Sequence, residues 1–168
     1  MSREGLYNTG VALADILTPE RVSVSSEAEG LVHDKASALE RLAGMLASGQ
    51  EGVSQARILQ VLTEREQLQS TGVGGGVAVP HGAVEELNRQ IGALLVCPAP
   101  IPFDAIDGAP VSILFALVGP KGAPAEHLKI LARVSRLLRQ DAFRAQLAQS
   151  PAGQDAYDLI CTSDRGAR

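Results

Sequence analysis

The chain has 168 residues, 45% hydrophobic and 20% charged, which suits one domain with its own core and is too apolar for an extended disordered chain. Its formal net charge of -4 lacks the basic excess with which nucleic-acid binders neutralise phosphates. The two cysteines, Cys97 and Cys161, form no C-x-x-C pair, and no apolar run has the length of a transmembrane helix. Neither a disulfide framework nor direct membrane insertion is therefore expected.

In chain order, residues 1–20 show no basic segment followed by a long apolar one, so no signal peptide is expected. With a reducing compartment implied by the cysteines, the expected location is cytoplasmic. These residues, with about 1–19 as a loose lead-in, hold at most a short helix. Residues 21–25 alternate like a first strand. Asp34 is placed to cap a helix running to about Ser48, with Leu39, Leu42, Ala43 and Leu46 as its apolar stripe and Gly49 as its stop. Ser54 opens a second helix in which Ile58, Val61 and Leu62 share a face, fraying near Gln67.

A glycine-rich loop over residues 70–76 leads into a short strand at 77–81 that Pro80 ends. Apolar runs at 91–97 and 111–118 predict two more strands, apolar on both faces as in a sheet covered by helices, joined by a turn-rich stretch over 98–110. Leu128, Leu131, Val134 and Leu138 trace a helix ending near Gln140. Asp141 caps another through about Gln149, and Ser150-Pro151 starts a last one before a frayed tail at 163–168. With no internal repeat or linker, the pattern predicts one α/β domain over 1–168, a mixed β-sheet flanked by helices on both faces.

Four features are candidates for the chemistry. The glycine loop lacks the Lys-Ser/Thr of a P-loop, and Val77 stands where a dinucleotide fingerprint needs glycine. It reads either as a tight turn into a strand or as a backbone cradle offering N–H groups to an anion. His81 follows Pro80 at the expected strand end. It reads as structural or exposed on residue type alone, yet a neutral imidazole is a good nucleophile near pH 7 and suits reversible phosphoryl transfer. His127 opens a helix, where it is either a polar first-turn residue or a second imidazole for a phosphate. Arg65 is either a solvated charge at a helix end or a planar fork for phosphate oxygens. His33 receives no role. A zinc site on His81 and His127 has no matching spacing, and no hydrolase signature is present.

Taken together, three segments resemble the mannitol/fructose-type IIA domains of the phosphoenolpyruvate-dependent phosphotransferase system. The run from Ser70 to Gly82, ending Val79-Pro80-His81-Gly82, is similar to their phosphorylation-site motif. Phe103-Asp104-Ala105-Ile106-Asp107 with Pro110-Val111 and 114–117 is similar to the second signature, and Glu126-His127-Leu128 to the third. The likeness covers roughly residues 20–160. It is nearest to the free-standing nitrogen-regulatory IIA proteins, which share the Ser-Thr-Gly opening and the Phe-Asp-Ala-Ile-Asp run.

The resemblance implies that His81 is the phosphoryl acceptor, that His127 stabilises the phosphoryl group without carrying it, and that Arg65 binds phosphate. Ser70, Thr71, Gly72, Gly74, Gly75 and Gly76 would form the phosphate loop. The expected activity is that of a phosphorylated transferase intermediate, with no cofactor and no metal. The donor would be an HPr-like carrier charged by enzyme I, and the acceptor either regulated proteins or a separate IIB protein. A sugar-transport IIA component and a non-transferring anion-binding module are the competing readings. The chain departs from many nitrogen-type members at Gly75, where they have asparagine, and at Ser112, where they have aspartate.

Overall fold

The computed structural model describes residues 11–25 and 31–166; the lead-in over residues 1–10 and the last two residues of the expected tail lie outside the described residues. The chain runs through α1 (Leu13–Ile16), a 3-10 turn (Pro19–Arg21), β1 (Val22–Val24), α2 (Lys35–Ala47), α3 (Gln55–Leu68), β2 (Gly72–Gly74), β3 (Val77–Ala78), β4 (His81–Val84), β5 (Ile91–Ile101), β6 (Val111–Pro120), α4 (Pro124–Leu138), α5 (Asp141–Ala148) and α6 (Gly153–Gly166).

Capping chemistry sets the helix starts. The Asp34 carboxylate accepts from the Ser37 N–H at 2.9 Å and the Ser54 hydroxyl from the Arg57 N–H at 3.1 Å, each satisfying an otherwise orphaned donor. α2 ends at Ala47, two residues before Gly49, which takes a φ of 75°. The expected start at Ser150-Pro151 is displaced to Gly153, because the Ser150 N–H closes α5 on the Leu147 carbonyl instead of opening α6. α6 also continues to Gly166, through part of the expected frayed tail. Its Asp164 carboxylate, 3% exposed, accepts from the Leu13 N–H and pairs with Arg133, tying the helix end to α1 and α4.

The six-stranded sheet has the order β1-β5-β6-β3-β2, with β4 also on β6. β5 and β6 are antiparallel and central, while β1 runs parallel to β5 and β3 and β4 run parallel to β6. Period-two alternation divides β5 between two cores. Ile91, Ala93, Leu95 and Cys97 face α2 and α3, and Leu94 and Val96 face the layer of α1, α4, α5 and α6. β6 does the same with Leu114, Ala116 and Val118 against Ile113, Phe115 and Leu117. Each fully buried side chain of this size contributes about 1.5–3 kcal/mol, so the continuous apolar runs are what a sheet covered on both sides requires. The expected mixed sheet with helices on both faces is what the chain forms.

Two local expectations need correction. The face of α4 that meets the core is Ile130, Val134, Leu137 and Leu138, with Leu131 partly buried; Leu128 is 65% exposed. Pro80 interrupts the strand without ending its course along β6. Val77 pairs with Ile113 and His81 with Leu117, so β3 and β4 keep one register along β6. Proline removes a donor from the ladder, but the Pro80 carbonyl still accepts from the Leu117 N–H at 3.0 Å, and pairing resumes one residue later.

A two-histidine cleft above the central strands

β4, α3 and the start of α4 bring His81, Arg65 and His127 together. The approach of α3 depends on Gly82, because a Cβ there would overlap Cγ1 of Val61. Val61 and Arg65 lie four residues apart on one face of α3. Seating Val61 on Gly82 therefore sets Arg65 over His81, and its Nε lies 3.3 Å from His81 Nε2. Arg65 is also held by a 2.8 Å bond from its Nη1 to the Gln69 carbonyl. Gly82→Ala is expected to push α3 from β4 and destabilise the protein by about 1–3 kcal/mol. A urea titration would read this as a lower midpoint, and an unchanged midpoint would remove Gly82 as the reason for the close approach.

The tautomer of His81 follows from its partners. Nδ1 lies 2.9 Å from the Val79 carbonyl, which can only accept, so Nδ1 carries the proton. Nε2 then holds the lone pair and accepts from the Arg65 Nε–H. Burial lowers the proton affinity of the ring below the usual imidazole range; the Val79 carbonyl opposes this and the Arg65 guanidinium adds to it.

His127 lies across the cleft, its ring centroid 5.8 Å from that of His81 and its plane tilted by 54°. It sits on the first turn of α4, behind Pro124 at the first helical position. Its Nδ1 is 2.9 Å from Oε1 of Gln90. Burial, with a lesser contribution from His81, pushes its pKa down to about 4. Gln90 went unnoticed in the sequence, since a single polar residue ahead of an apolar run carries no local signal.

The glycine loop divides. Its first part belongs to the site's frame: the Thr71 carbonyl accepts from the Val79 N–H, and Thr71 donates its N–H and its hydroxyl to the buried carboxylate of Glu66, next to Arg65. Ser70 bonds the Phe103 carbonyl and the Gly72 N–H, and Gly72 packs against Ala105 where a Cβ would not fit.

Gly75 and Gly76 form the turn between β2 and β3, and Gly74 ends β2 beside it, all three at positive φ. The Gly75 N–H donates to Oδ2 of Asp107 at 3.1 Å, and the Gly76 carbonyl accepts from Ser112 and Ile113. Val77 and His81 are four residue steps apart along β6, about 13 Å at the strand rise. The turn carrying these three glycines therefore lies at the end of β3 away from β4 and His81. Gly75 faces the Arg144 guanidinium, and Ser112 lies against Gly76. Both departures fall at the turn.

Among the described residues, no group of three or more His, Cys, Asp or Glu side chains converges as a metal site. No helix among them is long and apolar enough to cross a membrane.

Comparison with known proteins gives a consistent result. The family model for the phosphoenolpyruvate-dependent sugar phosphotransferase system, EIIA 2, matches residues 15–162. A nitrogen regulatory protein of Bradyrhizobium diazoefficiens is 36% identical over 148 residues, covering 88% of this chain and 94% of the relative. One from Pseudomonas aeruginosa is 34% identical over 156 residues, 93% and 99% of the respective chains. The crystal structure of the nitrogen regulatory protein IIA-Ntr from Neisseria meningitidis superposes with a TM-score of 0.79 at 30% identity, over 88% of this chain and 98% of that one.

Proposed function

The chain belongs to the EIIA 2 family of the phosphoenolpyruvate-dependent sugar phosphotransferase system, and on that premise we propose that it is a cytoplasmic phosphocarrier whose His81 accepts a phosphoryl group and whose phosphorylation state regulates partner proteins. The observation that carries this reading is the His81 ring itself. Its proton is held on Nδ1 by the Val79 carbonyl, and its Nε2 lone pair lies at the Arg65 guanidinium with a second imidazole opposite.

Nε2 attacks the phosphorus of a donor phosphohistidine in line. Its lone pair becomes the new N–P bond, and the electrons of the donor's N–P bond return to the donor ring. Each ring keeps the proton on its other nitrogen, so the transfer requires no net proton movement. Arg65 exchanges its bond to Nε2 for bonds to phosphoryl oxygens, which its fork fits. The Val79 carbonyl accepts from an Nδ1–H that becomes more positive as the ring is phosphorylated, and His127 meets the phosphoryl from the opposite wall. The work is positioning and charge stabilisation by preset groups.

Two exposed leucines border these residues: Leu68, 83% exposed, lies one turn beyond Arg65, and Leu128 follows His127. They suit the apolar rim on which an HPr-like donor docks. The regulatory role rests on the names of relatives that match nearly the whole chain. A phosphoryl group adds roughly -1.5 to -2 charges, enough to change a partner surface.

The test is incubation with phosphoenolpyruvate, enzyme I and an HPr-type carrier, following intact mass under non-acidic conditions. One acid-labile phosphoryl group per chain is the expected product. No modification with either a sugar-type or a nitrogen-type carrier would overturn the phosphocarrier reading in favour of a binding module.

A further inference from the structure

We propose that Gln90 is a positioning residue that decides which nitrogen of His127 carries the proton, and that position 119 is glycine because the Gln90 side chain occupies the space a Cβ would take. The proposal rests on the reading of His127 as the group that meets the phosphoryl.

Gln90 is a polar side chain only 3% exposed, one residue before β5. β5 pairs with β6 through Ile91 and Val118, so the next step outward sets Gln90 opposite Gly119. A Cβ on Gly119 would overlap the whole Gln90 amide. Gly119 has no positive φ, so the backbone makes no demand for glycine; the reason is space. Through that space Gln90 crosses to α4, where Oε1 lies 2.9 Å from His127 Nδ1. Its Nε2 is the one buried side-chain nitrogen or oxygen without a hydrogen-bond partner among the described residues.

Such a group is ordinarily avoided. Gln90 is held across that space by its amide oxygen on His127, a contact that an apolar residue would not make. An amide oxygen accepts and does not donate, so it selects the Nδ1–H form of a neutral imidazole and leaves Nε2 bare. The low proton affinity of the buried ring keeps it neutral near pH 7. When His127 does take a second proton, it enters at Nε2, the nitrogen not engaged by Gln90. The Nδ1–H···O bond to Gln90 persists and becomes charge-assisted. Gln90 thereby keeps Nδ1–H engaged and leaves Nε2 as the nitrogen that must take a proton, drawn by the phosphoryl charge, before His127 can donate to a phosphoryl oxygen.

The test reads the ring nitrogens of His127 by long-range proton–nitrogen NMR, assigned with His127→Ala, before any phosphorylation. The wild type is expected to show a protonated Nδ1 and a bare Nε2. Gln90→Ala is expected to lose that preference, and Gln90→Glu, an acceptor only, to keep it. Gly119→Ala, which displaces the amide, should reproduce the Gln90→Ala spectrum and add nothing to it in the double variant. A wild type protonated at Nε2, or a Gln90→Ala spectrum identical to the wild type, overturns the proposal.

The lifetime of the phosphorylated protein separates this from the wider reading. A change of about tenfold in Gln90→Ala, the scale typical of an orienting partner, supports both. An altered tautomer with an unaltered lifetime supports the assignment of Gln90 and overturns the role of His127 at the phosphoryl.

Discussion

Replacing His81 with alanine is expected to abolish phosphoryl acceptance completely while the protein stays folded. The side chain is half-buried and makes two hydrogen bonds, to the Val79 carbonyl and from Arg65. Their loss costs about 1–2 kcal/mol, a minor change beside the loss of the atom proposed to form the N–P bond. The variant, incubated with the charged carrier, should retain its unmodified mass, and a wild-type yield of phosphoprotein would move the acceptor elsewhere.

The same site predicts a pH profile. Burial, assisted by Arg65, holds the His81 proton affinity below the usual imidazole range. Because the folded value is lowered, the neutral nucleophile persists as pH falls through about 6.5, where an unperturbed imidazole would already be half protonated. Single-turnover acceptance from a pre-charged carrier should therefore stay level through that pH and decline only below it. A midpoint at or above the ordinary imidazole value would contradict burial as the cause.

What the sequence discloses and conceals here has a physical pattern. Interactions that repeat along the chain were legible: the stripe of Leu39, Leu42, Ala43 and Leu46 on α2, the caps at Asp34 and Ser54, and the two-sided apolar runs of β5 and β6. The meeting of Arg65, His81 and His127 was reached through likeness to a family, and no local rule brings α3, β4 and α4 to one point. The glycine turn was ambiguous for a definite reason. Positive φ suits both an anion nest and a hairpin turn, and the choice is made by Asp107, 32 residues away from Gly75. Gln90 was silent because its partners are Gly119 across the sheet and His127 on α4, neither within a helical or strand period of it. Pro80 reads as a strand end in the sequence, although its carbonyl continues the ladder and pairing resumes at His81.

Glu66→Ala is expected to give the largest loss of stability among substitutions near the site, and to slow phosphoryl acceptance as well. The Glu66 carboxylate is 4% exposed and pairs with Lys35 at 3.1 Å, joining α3 to α2. It also takes the N–H and hydroxyl of Thr71, fixing the chain as it leaves α3 toward β2. Alanine would leave the Thr71 donors in the interior unpaired, and Lys35 with only the exposed Asp104 at 3.4 Å. Breaking a buried pair by removing one partner costs about 3–5 kcal/mol. At about 2–4 °C per kcal/mol for a chain of this size, even the lower figure shifts Tm by roughly 6–12 °C.

The effect should depend on pH in a fixed direction. Burial raises the Glu66 proton affinity, but the two bonds from Thr71 and the Lys35 ammonium outweigh it, so the folded value lies below the ordinary carboxylate range. A carboxylate lowered on folding stabilises fully above its unfolded pKa, about 4.3, and loses that contribution as pH falls through the lower folded value. Wild type and Glu66→Ala should therefore differ most near pH 7 and converge in acid. Function follows through the frame: Thr71 accepts from Val79, whose carbonyl holds the His81 ring, and Arg65 is the neighbour of Glu66. Loosening that frame by a fraction of an ångström should slow acceptance by about ten- to a hundredfold. Melting temperatures from about pH 2 to about pH 8, spanning the ordinary carboxylate range, with single-turnover rates on the folded variant, check both parts. Equal melting curves at pH 7 would show that Glu66 does not brace the site.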